Sequence, residues 1–140
     1  MTPTPLVLAV YGTLRGGERN ERFLAGSAWL GTGIVLGRLY DMPASDLREY
    51  AYPALVLDEA GAVAVELYHL PDEAALVTID ELEAFDPADE AASQYVRRSV
   101  SIVDGPLDAA WVYVYNGTRA DLGETIDDGD WVAHRKRIAG

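Results

Sequence analysis

The apolar run Leu6-Val7-Leu8-Ala9-Val10 stops at Tyr11-Gly12-Thr13-Leu14-Arg15, and that junction is well equipped for chemistry. The run is short, carries β-branched valines and follows prolines, which predicts a buried strand. A strand ending there, before a segment of helical composition, leaves several main-chain N–H groups without ladder partners at one spot. Oriented amides beside a helix start favour negative charge, so the turn is suited to hold an anion. Gly12 lets the main chain approach a ligand or take a positive φ. An ordinary strand-to-loop turn has the same composition, and the junction alone leaves both readings open.

A carboxylate supplies the second candidate. At roughly 100° per residue, the helix predicted from Asp72 to Phe85 puts Ala75, Leu76, Ile79 and Leu82 on one apolar arc. Glu83 lies roughly 55° from the centre of that arc, Asp80 about 115° away and Glu81 nearly opposite. Glu83 is therefore the acid of this half-helix expected on the inward face. Burial and the carbonyls of the last helical turn both disfavour a charged carboxylate, which would tune Glu83 toward general-base work. A slight rotation or an early helix end would bring it to solvent instead.

The remaining elements must position these two features. Gly17 to Ala25 reads as a short helical turn with Phe23 and Leu24 inward and Gly26 stopping it. Strands are predicted over residues 33–41, 53–57 and 62–69, with Asp58-Glu59-Ala60-Gly61 as a turn between the last two. Pro71-Asp72 opens the helix and Pro87 closes it. An acidic loop from Asp86 to Ser93 precedes two further strands, 95–103 and 109–116, expected to pair around Asp104-Gly105-Pro106. The tail carries Asp127-Asp128-Gly129-Asp130-Trp131 and ends in the basic stretch Arg135-Lys136-Arg137. About six strands, several apolar on both faces, with one clear helix predict an α+β fold built on a small mixed barrel.

Composition narrows the function. The 140 residues are 49% apolar, which fits one globular domain spanning the chain. A net charge of −12 argues against nucleic acid and anionic membranes as partners and favours solubility. No cysteine is present, so disulfides and thiolate metal sites are excluded. With neither a basic leader nor a membrane-length apolar run, a cytoplasmic location is expected.

Several patterns carry no chemistry. Gly31-Thr32-Gly33 with Gly37 mimics a dinucleotide fingerprint, but its third glycine is late and it enters a strand. His69 and His134 belong to no ligand pattern, and Asp127, Asp128 and Asp130 lack the spacing of a calcium loop. Neither a nucleophile elbow nor a thiol nucleophile occurs. Carboxylate chemistry remains.

Read in order, Tyr11-Gly12-Thr13-Leu14, Asn20, Tyr52-Pro53-Ala54, Glu66-Leu67-Tyr68, Asp80-x-x-Glu83, Tyr95-x-Arg97, Trp111-Val112-Tyr113-Val114-Tyr115 and Gly129-Asp130-Trp131 form an ordered set. The set resembles the γ-glutamylcyclotransferase-like superfamily, which includes γ-glutamylamine cyclotransferases and AIG2-like proteins, over roughly residues 6 to 131. This chain has Ala84-Phe85 where the family often follows its glutamate with Gly-Tyr, and Val65 where it often has glycine before Glu-Leu-Tyr.

The resemblance implies an enzyme that converts a γ-glutamyl amine or peptide to 5-oxoproline. It implies that Tyr11, Gly12, Thr13 and Leu14 bind the small-molecule substrate and that Glu83 is the catalytic acid/base. No cofactor is expected, because nucleophile and electrophile share one molecule. Tyr115 is open to two readings, closing the pocket or filling core and rim. Arg15 either pairs with a substrate carboxylate or is solvated, while Tyr95 and Arg97 are expected to be structural and Trp131 to pack the tail. A non-catalytic module binding a γ-glutamyl or carboxylate metabolite stays open beside the enzyme, as does another amide reaction on the same scaffold. Neither the leaving group nor the oligomeric state follows from the residues.

Overall fold

The computed structural model describes residues 6–12, 14, 15, 21–42, 52–117, 122–126 and 128–139, and Thr13, Asn20 and the segment 43–51 lie outside them. Among the described residues six strands form one mixed sheet: β1 (Val7–Val10), β2 (Ala28–Met42), β3 (Tyr52–His69), β4 (Tyr95–Ser101), β5 (Ala109–Tyr115) and β6 (Glu124–Ile126). Their order is β4-β5-β1-β3-β2-β6, with β1 and β5 parallel and the other neighbours antiparallel. Helix α1 spans Glu73–Leu82 and helix α2 spans Trp131–Ala139. A bridge between Ile34 and Val103 draws β2 toward the far end of β4, so the sheet curls into a half-barrel with β4 and β6 as its edges. Among the described residues no helix is long and apolar enough to cross a membrane.

β1 is central because both its faces are apolar. Val7 and Ala9, with Tyr11 just beyond, join Val35, Leu39, Leu55, Val65, Val112 and Trp131 on one side. Leu8 and Val10 point the other way, against Leu76 and Ile79 of α1 and Tyr95 and Tyr113 of the sheet. Burying a strand on both faces leaves its end as the place where the main chain can reach a ligand. Gly33, one of the fingerprint mimics, serves packing: a Cβ there would stand 2.8 Å from Ile102 Cγ2.

The strands predicted at 53–57 and 62–69 are one strand, β3. Its register with β2 jumps from Ala62 opposite Leu36 to Leu57 opposite Gly37, so residues 58–61 bulge out of a continuing ladder. Asp58 Oδ1 accepts from Ala60 N at 2.9 Å, a local turn made inside a strand. β2 begins at Ala28, earlier than its pattern suggested, and the 95–116 hairpin is as expected. Of the helical turn expected over residues 17–25, residues 17–20 lie outside the described ones; Glu21–Leu24 form a 3₁₀ turn, with Leu24 buried and Gly26 at φ 83° after it. Neither β6 nor α2 was anticipated. Asp130 Oδ1 accepts from Ala133 N at 3.2 Å across the first turn of α2, and Trp131 is buried as expected.

Candidate active site

Helix α1 starts at Asp72, whose side chain accepts from Ala75 N at 2.9 Å. It ends at Leu82, three residues short of the predicted Phe85. Glu83 N donates to Ile79 O, Ala84 N to Glu81 O, and Phe85 N reaches back to Asp80 O at 2.9 Å. With Ala84 at φ 54°, this is a Schellman stop with alanine where glycine is usual. Phe85 is buried, and Glu83 is the half-buried C-cap residue. The helix end is thus pinned on both sides of the acid.

Glu83 lines a cleft together with Tyr11, Gly12, Leu14, Ala9, Val10, Tyr52, Pro53, Tyr95 and Tyr113. The structure therefore brings Glu83 and the turn after β1 to one pocket. Tyr115, by contrast, does not line it; its ring stands edge-on behind Tyr95, centroids 5.8 Å apart.

Of the two expectations for Gly12, the positive φ does not hold. Its φ is not positive, and a Cβ would lie 2.4 Å from Pro53 Cγ. The missing side chain makes room for the proline ring in the pocket wall. Tyr11 is buried, and its hydroxyl donates to Tyr113 O at 2.6 Å, tying the turn to β5. Tyr95 OH donates to Pro53 O, also at 2.6 Å, so two buried phenols hold the pocket walls together.

Arg15 neither points at the pocket's lining nor is solvated. Its Nε donates to Glu66 and its Nη1 to Asp130, both at 2.8 Å, anchoring the turn to β3 and to the start of α2. Though burial works against its charge, the two carboxylates raise its pKa above the usual value.

Asp80 is the largest departure from the helical wheel. Placed about 115° off the apolar arc by the periodicity, it is in fact only 4% exposed. Arg97 donates to both its oxygens, at 2.9 and 3.2 Å, and Tyr113 OH donates to Oδ1 at 2.5 Å. A buried carboxylate is tolerated when paired and hydrogen-bonded in this way. Arg97 is structural, as expected, and also stacks against Trp111. Tyr113 and Tyr52 line the pocket as well, beyond the residues expected there. In β5 the alternation of Trp111, Tyr113 and Tyr115 on one face was the available signal. No cluster of three metal-ligating side chains occurs among the described residues.

The comparisons agree with this architecture. Residues 8–133 match the family model described as gamma-glutamyl cyclotransferase, AIG2-like. A Vibrio cholerae protein provisionally named γ-glutamylcyclotransferase is 36% identical over 123 residues, covering 87% of this chain and 91% of that one. The γ-L-glutamyl-butirosin B γ-glutamyl cyclotransferase of Niallia circulans is 33% identical over 134 residues, covering 94% and 79%. In fold, the crystal structure of an AIG2-like protein from Mus musculus superposes with a TM-score of 0.62 at 22% identity, covering 84% and 82%. The chain belongs to the γ-glutamyl cyclotransferase, AIG2-like family.

Proposed function

We propose that this chain converts a γ-glutamyl amine or peptide to 5-oxoproline and the released amine, with Glu83 as acid/base. One observation carries the reading: Glu83 and the turn formed by Tyr11, Gly12 and Leu14 line the same cleft. The names of the two sequence relatives support a γ-glutamyl substrate.

In the reaction the substrate's α-nitrogen bonds to its own γ-carbon while the bond from that carbon to the leaving nitrogen breaks. The α-nitrogen enters as an ammonium and ends as a lactam N–H, so it sheds two protons. Both depart with the amine, as RNH₃⁺. Glu83 takes protons from the α-nitrogen and delivers them to the leaving nitrogen, a role contributing on the order of 10² to 10⁴ in rate. Main-chain N–H groups of Gly12 and Leu14 hold the α-carboxylate, and holding the substrate in its cyclising conformer supplies several kcal/mol more, roughly as in other oriented intramolecular reactions.

Incubation with a panel of γ-glutamyl amines and peptides, read by mass spectrometry, tests the reading. The expected outcome is 5-oxoproline and free amine in equal amounts from at least one member. Free glutamate in place of 5-oxoproline would make water the nucleophile and overturn it. So would tight binding without any product.

A further inference from the structure

We propose that the Tyr113 hydroxyl oxygen binds substrate, accepting a hydrogen bond from the α-amine of the γ-glutamyl group so that the amine faces its γ-carbonyl. The inference rests on the function proposed above and names a binding residue for it.

Tyr113 lies on β5, 3% exposed, and lines the same cleft as Glu83. Its single hydroxyl proton is given to Asp80 Oδ1 at 2.5 Å. Asp80 is itself fixed by the two Arg97 bonds, so this acceptor does not swing away. A phenol whose proton is held in this way meets a ligand only through its lone pairs. It is an acceptor.

An acceptor beside a carboxylate calls for a donor, and the γ-glutamyl group offers one strong donor cluster, its α-ammonium. The described residues lining the cleft include no Lys, Arg or His. Burial first, then the Asp80 and Glu83 carboxylates, push the Tyr113 phenol well above its ordinary value of 10.0, so it keeps its proton and its orientation at working pH. The division of labour follows from a tetrahedral nitrogen. Glu83 takes one proton of the ammonium, and a turn about the Cα–N bond then brings the freed electron pair to the γ-carbon, with one of the two remaining N–H bonds resting on Tyr113 Oη.

L-Glutamate and glutarate differ only by the α-amine, and both can compete with a γ-glutamyl amine that the wild type cyclises. In Tyr113→Phe, glutamate inhibition is expected to weaken about 10- to 100-fold, with glutarate inhibition changing less than about twofold. Asp80→Ala provides a second arm, because it removes the oxygen that accepts the phenol proton and so lets that proton turn into the cleft. The preference for glutamate is expected to fall there too. Equal weakening of both competitors would reduce Tyr113 to a structural part, and unchanged inhibition by both would place its oxygen away from the amine. Either result overturns the inference alone. A wild type that forms no 5-oxoproline removes the proposed function, and this inference with it.

Discussion

Asp80 and Glu83 leave the end of α1 three residues apart and meet opposite surroundings. The Asp80 carboxylate is enclosed by Arg97 and Tyr113, whereas Glu83 lines the cleft beside the turn after β1. One acid anchors the helix end and the other is presented by it. Removing the anchor leaves Arg97, its side chain 17% exposed, without the partner that offsets its burial. Asp80→Ala is expected to destabilise by about 3–5 kcal/mol, the usual consequence of breaking one side of a buried pair. Urea unfolding measures this, and a loss below about 1 kcal/mol would mean that the pair does not hold the helix end.

Ala84 holds the left-handed position of the helix stop, at φ 54°. An L side chain there costs roughly 1–2 kcal/mol, part of which glycine returns as unfolded-chain entropy. Ala84→Gly is therefore expected to stabilise by about 0.5–1 kcal/mol. A lower melting temperature for the variant would contradict the Schellman assignment.

Gly12→Ala drives a methyl group to within 2.4 Å of the Pro53 ring. The proline must move, and with it the cleft wall that Tyr95 holds through Pro53 O. Overpacking of this kind costs about 1–3 kcal/mol. A fall in kcat/KM larger than the loss of stability explains is expected, read from steady-state kinetics at temperatures where the variant stays folded.

The Tyr113 phenol also sets an alkaline limit. Its folded pKa is raised above the unfolded value of 10.0. The folded chain therefore keeps a proton that the unfolded chain loses. The stabilisation is complete below pH 10 and declines as the pH rises beyond it. Denaturation midpoints are expected to fall between pH 10 and 11, and to fall less in Tyr113→Phe. Parallel declines in the two proteins would assign the effect to other groups.

Local pattern revealed what local forces build. The Asp104-Gly105-Pro106 turn marked the β4–β5 hairpin, and the apolar run of β1 marked a buried strand. The composition of residues 58–61 marks a turn, and Asp58 does make a turn-like bond to Ala60, yet the ladder with β2 resumes beyond it. Helix α2 was missed because His134, Arg135, Lys136 and Arg137 leave a weak apolar stripe. Its cap at Asp130 and the buried Trp131 were the usable signs. Asp80 could not be placed by periodicity, since Arg97 and Tyr113 stand 17 and 33 residues further along the chain. Glu83 was legible because its own helix carries it to the cleft.

The central claim is tested most directly by Glu83→Gln, which keeps the size of the side chain and removes its ability to accept and return a proton. With a γ-glutamyl amine that the wild type cyclises, 5-oxoproline formation is expected to drop at least about 10²-fold, with the unfolding midpoint unchanged. Undiminished turnover by the folded variant would remove Glu83 from the chemistry.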